Sequence, residues 1–529
     1  MATATPLEIN LIRRIALGDG LRRRAADGPY REALVEYKNG ERYVTSYKAL
    51  NEKVNQLVRG LRAQGLRQGD RIAILGGNSS EFIYCLLACF KGGFVAVPVN
   101  FVQSPRDVEY NIEHSGAKAV FADTELQPAL TSMHATHRQL LQVTLVGDSA
   151  SAFMPLETLT AGRAPDEIED IIIEDDDLAQ IMYTSGTTAR PKGVMLSHKN
   201  LYIATLNALI SIGARKQAIN HAAVLPLFHI TAELFALVSL HFGAKVILCK
   251  RFEPAEFLGL IAAENINFAI LLPLMWRALL ACPELEKHDY ASLQLAMYGM
   301  APMDRNTLNK LQATFDCPFL TGSGQTEITG VATVLEPHGV NTKEGNIWGD
   351  GSVTCDQAVM DDAGRFLPIG EVGEIVWRSP QTMLGYYRND EASAQAQAFG
   401  WHHSGDLGYI DEDNQFHFVD RKKDIVKSGG ENISSVKVEA VLLGVPGVAN
   451  VAVIGLPHPH WGEAVTAIVA REVESDLDED TILSQCKKQL GGFEMPKRII
   501  FQDVLPTTAT GKVKKHQLRE AYAELYQEL

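Results

Sequence analysis

Between Tyr183 and Gly193 the chain reads Tyr-Thr-Ser-Gly-Thr-Thr-Ala-Arg-Pro-Lys-Gly, directly after the mostly apolar run Leu178 to Met182. An apolar strand that empties into Thr184, Ser185, Gly186, Thr187 and Thr188 sets small side chains and bare backbone N–H groups where a polyanion can be cradled. Lys192 supplies a counter-charge. The chemistry this spacing offers is the holding of a triphosphate. A solvated Ser/Thr-rich loop is the bland alternative.

The loop is not of the G-x-x-x-x-G-K-[ST] kind, in which lysine follows glycine and precedes a hydroxyl residue. Lys192 follows Pro191 and precedes Gly193. The order T-S-G-T-T-x-x-P-K-G instead resembles the signature of the adenylate-forming superfamily, which includes acyl-CoA and aryl-CoA synthetases, peptide-synthetase adenylation domains and beetle luciferases. Ala189 departs from it, standing where the family usually has glycine. Further motifs follow in family order up to Arg519, so the resemblance covers nearly the whole chain and is strongest to an acyl- or aryl-CoA ligase.

That resemblance implies a nucleotide site. Thr321-Gly-Ser-Gly-Gln-Thr-Glu327 is similar to the family's aromatic-Gly-x-Thr-Glu motif, which implies Thr326 on a nucleotide phosphate and Glu327 as the magnesium ligand. A hard divalent cation takes oxygen ligands and bridges phosphate oxygens, so one carboxylate beside a triphosphate is sufficient. Ser323 replaces the aromatic that packs on adenine. Tyr298-Gly-Met-Ala-Pro302 resembles the family's Gly-x-x-Pro turn, placing Gly299 and Met300 towards adenine and the acyl chain. Trp401-His-His-Ser-Gly-Asp-Leu407 resembles its Thr-Gly-Asp-Leu motif, with Ser404 for threonine. Asp406 would accept from the ribose hydroxyls, with Arg421 as a second contact. Near the C-terminus Pro506-Thr-Thr-Ala-Thr-Gly-Lys512 resembles the closing motif. Lys512 is the implied catalytic residue, a flexible ammonium aligning the acid's carboxylate with the α-phosphate and stabilising charge at phosphorus.

The implied reaction has two steps, acid and ATP giving acyl-AMP and pyrophosphate, then acyl-AMP and CoA giving acyl-CoA and AMP. The family makes the change by rotating its small C-terminal domain about a hinge, here at Lys423. Rotation withdraws Lys512 and brings in Lys427-Ser-Gly-Gly-Glu-Asn432, where Gly429 and Gly430 would border the pantetheine of CoA, or simply form a turn. Leu225-Pro-Leu-Phe-His229 matches the family's gate, with His229 or Phe228 moving between steps. The acyl pocket is expected from Ile230 to Leu240 with Phe228, Met300, Gly322, Ser323 and Gly324. Glu233 stands out there. It would either recognise a cationic or hydroxylated acid or be a hydrogen-bonded glutamate. The expected acid is a medium- or long-chain acyl or an aryl carboxylate. An acyl-AMP ligase that loads a carrier protein's phosphopantetheine is the alternative; an oxygenase of the luciferase branch and a non-catalytic relative come behind it.

The elements that must position these residues fit an enzyme of this kind. With 529 residues the chain exceeds one compact core, and its 46% hydrophobic and 21% charged content is that of a globular protein. A net charge of −15 argues against a nucleic-acid or anionic-membrane binder, so anionic ligands must meet local positive sites. Seven cysteines without a C-x-x-C pair point to a reduced, cytoplasmic setting. Cys85 and Cys89 share a helix face for packing, and His458 and His460 lie in a surface turn rather than a metal site. Phe82 to Val99 and Phe235 to Leu248 are too interrupted to span a membrane, and the first residues lack a signal peptide's apolar core.

Short apolar runs alternate with helical patterns over the first four-fifths: Arg71 to Leu75 then Ser80 to Phe90, Lys245 to Leu248 then Pro254 to Glu264, with strands at Ala117 to Phe121, Leu141 to Val146 and Phe268 to Leu272. After Asp361 the texture becomes β-rich. A charged segment, Asp420 to Asp424, precedes helix Ser435 to Leu443, strands Val451 to Ile454 and Ala464 to Val469, and helix Thr481 to Leu490. The expected fold is α/β: a large N-terminal AMP-binding domain over residues 1–420, made of two α/β layered subdomains plus a β-rich one, then a small mobile α+β domain over 421–529.

Overall fold

A computed structural model describes residues 4–130, 140–148, 153–184, 190–213, 219–300, 303–342, 345–472, 475–508 and 511–526. The chain forms two compact units: Met1–Glu344 with Gly349–Asp356 and Trp377–His402, and Gly345–Trp348 with Gln357–Val376 and His403–Leu529.

In the first unit an eight-stranded sheet runs in the order Gly385–Tyr386, Lys192–Ser197, Leu178–Thr184, Val95–Pro98, Arg71–Leu75, Ala119–Ala122, Leu141–Thr144 and Met154–Pro155. Its centre is parallel, with the helices Ser80–Gly92 and Pro105–Ser115 as crossovers after Arg71–Leu75 and Val95–Pro98. The helix Ser80–Gly92 shows how the sequence sets such a crossover. The Ser79 side chain accepts from the Phe82 N–H at its start, and Gly93 closes it at φ 69°. Its apolar residues are buried nearly all round, which accounts for the hydrophobic window seen in the sequence. Among the described residues no helix is long and apolar enough to cross a membrane.

A second set of strands in this unit carries the neighbouring order Glu41–Ser46, Glu32–Lys38, Val246–Leu248, His221–Ala223, Phe268–Leu271, Leu295–Tyr298, Phe319–Gln325 and Gly330–Leu335. Leu234, Phe235, Val238, Phe268, Ile270, Met297 and Leu320 form one core beneath it. Phe319–Gln325 and Gly330–Leu335 turn back on each other antiparallel, and their glycines are dictated by close approach. A Cβ at Gly324 would lie 1.5 Å from the Gly330 carbonyl oxygen, and one at Gly322 would lie 2.3 Å from that of Thr333.

The second unit contains most of four neighbouring strands, Asp356–Met360, Gly373–Arg378, His402–Ile410 and Phe416–Arg421, the last three in the β-rich region expected after Asp361 and the first just ahead of it. It also contains a five-stranded sheet of Glu431–Ile433, Val426–Ser428, Gly462–Arg471, Val448–His458 and, parallel to Gly462–Arg471, Arg498–Phe501. The expected strands at 451–454 and 464–469 extend into a long hairpin because their flanks pair with each other. The last expected helix shifts earlier, to Glu479–Cys486, since the Asp478 side chain caps it by accepting from the Thr481 N–H.

Candidate active site

In the first unit Thr184 ends one strand and pairs in register with Lys192, which opens the next. Ser185, Gly186, Thr187 and Thr188 lie outside the described residues. Lys192 Nζ sits 4.8 Å from the centre of the Tyr386 ring, and the Tyr386 hydroxyl donates to Glu327 Oε1 at 2.9 Å. The strand pairing of Tyr386 with Val194 fixes this arrangement, and the Met383 N–H donates to the Glu327 carbonyl at 2.8 Å. Burial, then the Glu327 charge, pushes the Tyr386 phenol well above its ordinary range, so it remains a donor. One tyrosine thus joins a free-ended ammonium to a half-buried carboxylate. Tyr386 did not stand out in the sequence; the only signal was an aromatic pair after Gly385.

Glu327 is held by a costly turn. Thr329, β-branched and fully buried, adopts φ 54°, a left-handed conformation that such residues avoid. Its N–H donates to the Thr326 carbonyl at 2.9 Å and its hydroxyl to that of Gln381. Met300, also at φ 65°, follows Gly299 at the end of the strand Leu295–Tyr298. A Cβ on Gly299 would lie 4.0 Å from the Gly322 carbonyl oxygen, so Gly299, Met300 and Gly322 share one edge, with Ser323 and Gly324 next along the strand. The Ser323 N–H donates to Thr333 Oγ1 at 3.1 Å.

His229 is the N-cap of the helix Ile230–Phe242, its Nδ1 accepting from the Thr231 N–H at 3.4 Å. Phe228 meets Phe101 edge to face at 5.2 Å. Glu233, one turn into that helix, is fully buried and accepts from Gln180 Nε2 at 2.8 Å. Burial pushes its pKa up to about 8, the Gln180 hydrogen bond opposing. Among the described residues its Oε1 and Gln180 Oε1 have no hydrogen-bond partner.

In the second unit Asp406 and Arg421 are register partners on adjacent strands, Arg421 Nε lying 3.6 Å from Asp406 Oδ1. The Ser404-Gly-Asp segment lies within the strand His402–Ile410, with Gly405 at φ 72°. Lys512 lies beside the bridge between Thr507 and Val513, and the Thr508 N–H donates to its carbonyl at 2.8 Å. Lys512 is an exposed residue, yet partial desolvation by the protein around it acts on its ammonium. That desolvation, then the Arg421 charge, pushes its pKa down to about 7, against the pull of Asp406.

Gly429 at φ 61° and Gly430 at φ 90° are the two loop residues of the hairpin joining Val426–Ser428 to Glu431–Ile433. Two consecutive positive φ values are what a type I′ turn requires. A Cβ on Gly429 would lie 3.1 Å from the Trp461 ring and 3.3 Å from Phe493, while Gly430 faces open space. Lys497 Nζ is 4.7 Å from the centre of the same indole, and Phe493 is 49% exposed. This aromatic and cationic flank was missed in the sequence because Gly430, Trp461 and Phe493 are far apart along the chain. His458 Nδ1 accepts from the N–H groups of His460 and Trp461, at 3.0 and 3.2 Å, the task an aspartate would perform in that turn.

Two family models match the sequence, the AMP-binding enzyme over residues 21–387 and the AMP-binding enzyme C-terminal domain over residues 437–512. The chain belongs to the AMP-binding enzyme family. Within it, the sequence is 36% identical to a feruloyl-CoA synthase of Amycolatopsis sp, over 97% of this chain and 100% of that one. It is 32% identical to the long-chain-fatty-acid–CoA ligase FadD13 of Mycobacterium tuberculosis, over 96% and 98%. The fold superposes on ATP-bound MatB from Rhodopseudomonas palustris with a TM-score of 0.87 at 30% identity, covering 97% of this chain and 100% of MatB.

Proposed function

We propose that this member of the AMP-binding enzyme family is an ATP-dependent carboxylic acid:CoA ligase acting on an acyl or aryl acid. The observation that carries the reading is the Lys192–Tyr386–Glu327 arrangement, a cation and a carboxylate set by one tyrosine beside the end of the strand Leu178–Thr184. Lys192 meets the charge of the terminal phosphates, and Glu327 takes the magnesium that arrives with ATP, its oxygen donor suiting a hard ion that keeps phosphate and water ligands. Gly299, Met300 and Thr326 serve the nucleotide in the same unit. From the second unit Asp406 and Arg421 hold the ribose.

In the first step a carboxylate oxygen bonds to the α-phosphorus as the bond to the bridging oxygen breaks, and the electron pair leaves on pyrophosphate. Lys512 supplies positive charge where it develops. In the second the CoA sulfur attacks the acyl carbon, AMP leaves, and the thiol proton passes to solvent. Gly429 and Gly430 border the thiol's approach, with the exposed Phe493 and the half-buried Trp461 offering faces on which an adenine can stack. His229 and Phe228 gate the pocket, which the helix Ile230–Phe242 lines, and Lys423 is the hinge. Seven free cysteines support a cytoplasmic setting, to be checked by fractionation.

The test is pyrophosphate release over a panel of aryl and acyl acids with MgATP, with and without CoA. Turnover that rises sharply with CoA for one acid class supports the ligase. Acid-dependent release that stops near one turnover and ignores CoA replaces it with loading of a carrier protein.

A further inference from the structure

Beside Lys192 the first unit holds a cleft of about 370 Å³ lined by Tyr110, His114, Arg190, Lys192, Tyr387 and Arg388, among others. Tyr110 and His114 are one turn apart on the helix Pro105–Ser115 and stack at 5.1 Å. The Arg190 guanidinium lies 5.3 Å from the centre of the Tyr110 ring, and that of Arg388 lies 5.1 Å from that of Tyr387. His114 Nδ1 and the Tyr183 hydroxyl are 2.8 Å apart. Desolvation, then the Arg388 charge, pushes the His114 pKa down, so the ring is neutral and the positive charge of the cleft is that of its two arginines and one lysine.

Two features set this cleft apart. No carboxylate lines it, and among the described residues none forms an ion pair with Arg190, Lys192 or Arg388, in a chain of net charge −15. Three cations held over aromatic faces, without acidic partners, make a local positive field that an anion can neutralise. Arg388 also takes φ 52°, a left-handed conformation that costs free energy for a residue with a Cβ and turns its guanidinium towards Gly116.

We propose that this cleft receives the pyrophosphate released in the first half-reaction, with Lys192 passing it from the phosphate loop to Arg190 and Arg388. The inference rests on the reading of Lys192 as a contact of the terminal phosphates. Lys192 belongs both to the cleft and to the arrangement with Tyr386 and Glu327, so the leaving group needs to move only past one ammonium. Guanidinium groups suit its oxyanions, since each can give paired N–H bonds to a phosphoryl group. The phosphates of CoA share that chemistry and are the competing source.

The test compares wild type with Arg190→Gln, Arg388→Asn and the double variant. Asparagine tolerates left-handed φ, so Arg388→Asn removes the charge without adding strain. In acid-dependent exchange of pyrophosphate into ATP, each single variant should raise the KM for pyrophosphate about tenfold and leave the KM for CoA in thioester formation within twofold. An unchanged KM for pyrophosphate overturns the proposal, and a raised KM for CoA alone reassigns the cleft to CoA. Calorimetric titration of the same proteins with pyrophosphate, without acid or nucleotide, separates this idea from the ligase reading. If wild type shows no exchange but binds pyrophosphate at least tenfold tighter than the double variant, the ligase reading fails and with it the cleft's part in turnover, while the cleft is kept as a pyrophosphate-binding site. Equal binding by both overturns the cleft.

Discussion

The Tyr386 hydroxyl donates to Glu327 Oε1 at 2.9 Å, joining a short strand to a turn from a distant part of the chain, while Lys192 lies over the same ring at 4.8 Å. A carboxylate that accepts a hydrogen bond on one oxygen keeps the other directed. The ring, meanwhile, limits where the ammonium can go. Tyr386 is therefore a positioning residue, acting on phosphate chemistry through two neighbours.

Tyr386→Phe removes only the hydroxyl. A hydrogen bond to a charged group is worth roughly 1.5–3 kcal/mol, so kcat/KM for ATP should fall about tenfold or more, with the larger loss at limiting magnesium. Tyr386→Leu also removes the ring face under Lys192 and should fall further. Pyrophosphate release titrated with magnesium checks both; a loss that magnesium does not modulate would separate Tyr386 from Glu327.

Lys512→Ala should separate the half-reactions. Acyl-AMP formation should drop by roughly 100-fold or more, the scale of losing a charge aimed at the reacting phosphoryl group. Thioester formation from supplied acyl-AMP should stay within a few-fold. Because its ammonium is pushed down to about 7, Lys512 is largely neutral at pH 8. Amine-directed labelling at that pH should reach it ahead of ordinary lysines and slow when MgATP binds.

The sequence made some parts of this molecule legible and hid others for physical reasons. Strands buried on both faces read as short apolar runs, so Arg71–Leu75 and the helix Ser435–Leu443 appear where their residues alone placed them. Hairpin lengths were underread, because Val448–His458 owes its ends to a partner strand that local pattern cannot reveal. Glycine had several meanings at once. Gly322 and Gly324 are required by close strands, and Gly429 and Gly430 by a turn, whatever they also do for a ligand. Tyr386, Gln180 and the Trp461–Phe493 pair were out of reach, since each matters through a neighbour far away in sequence.

The turn at Gly429 and Gly430 gives a graded prediction. Alanine at either site pays roughly 1–2 kcal/mol for left-handed backbone. Only at Gly429 does the new Cβ also meet Trp461 and Phe493, at 3.1 and 3.3 Å. Gly429→Ala should therefore be the less stable in urea unfolding and should slow thioester formation more than pyrophosphate release. Equal effects at both sites would remove the aromatic flank from the account.

Glu233 gives the fold a pH dependence of unusual sign. Burial holds its folded pKa at about 8, against an ordinary value of 4.5. Below 4.5 both states are protonated and nothing is lost; between 4.5 and 8 the folded protein holds a proton that the unfolded chain has released. Stability therefore falls as pH rises through that window, by a few kcal/mol in all. The neutral acid also suits the site, since its O–H gives Oε1 a donor and Gln180 Oε1 is an acceptor that lacks one. Glu233→Gln cannot ionise. Its melting temperature should approach that of wild type at pH 5 and exceed it progressively towards pH 8, and hydrogen exchange should place the difference in the helix Ile230–Phe242. Parallel melting curves across that range would mean that Glu233 is ionised in the folded protein, with a counter-charge that the Gln180 amide does not supply.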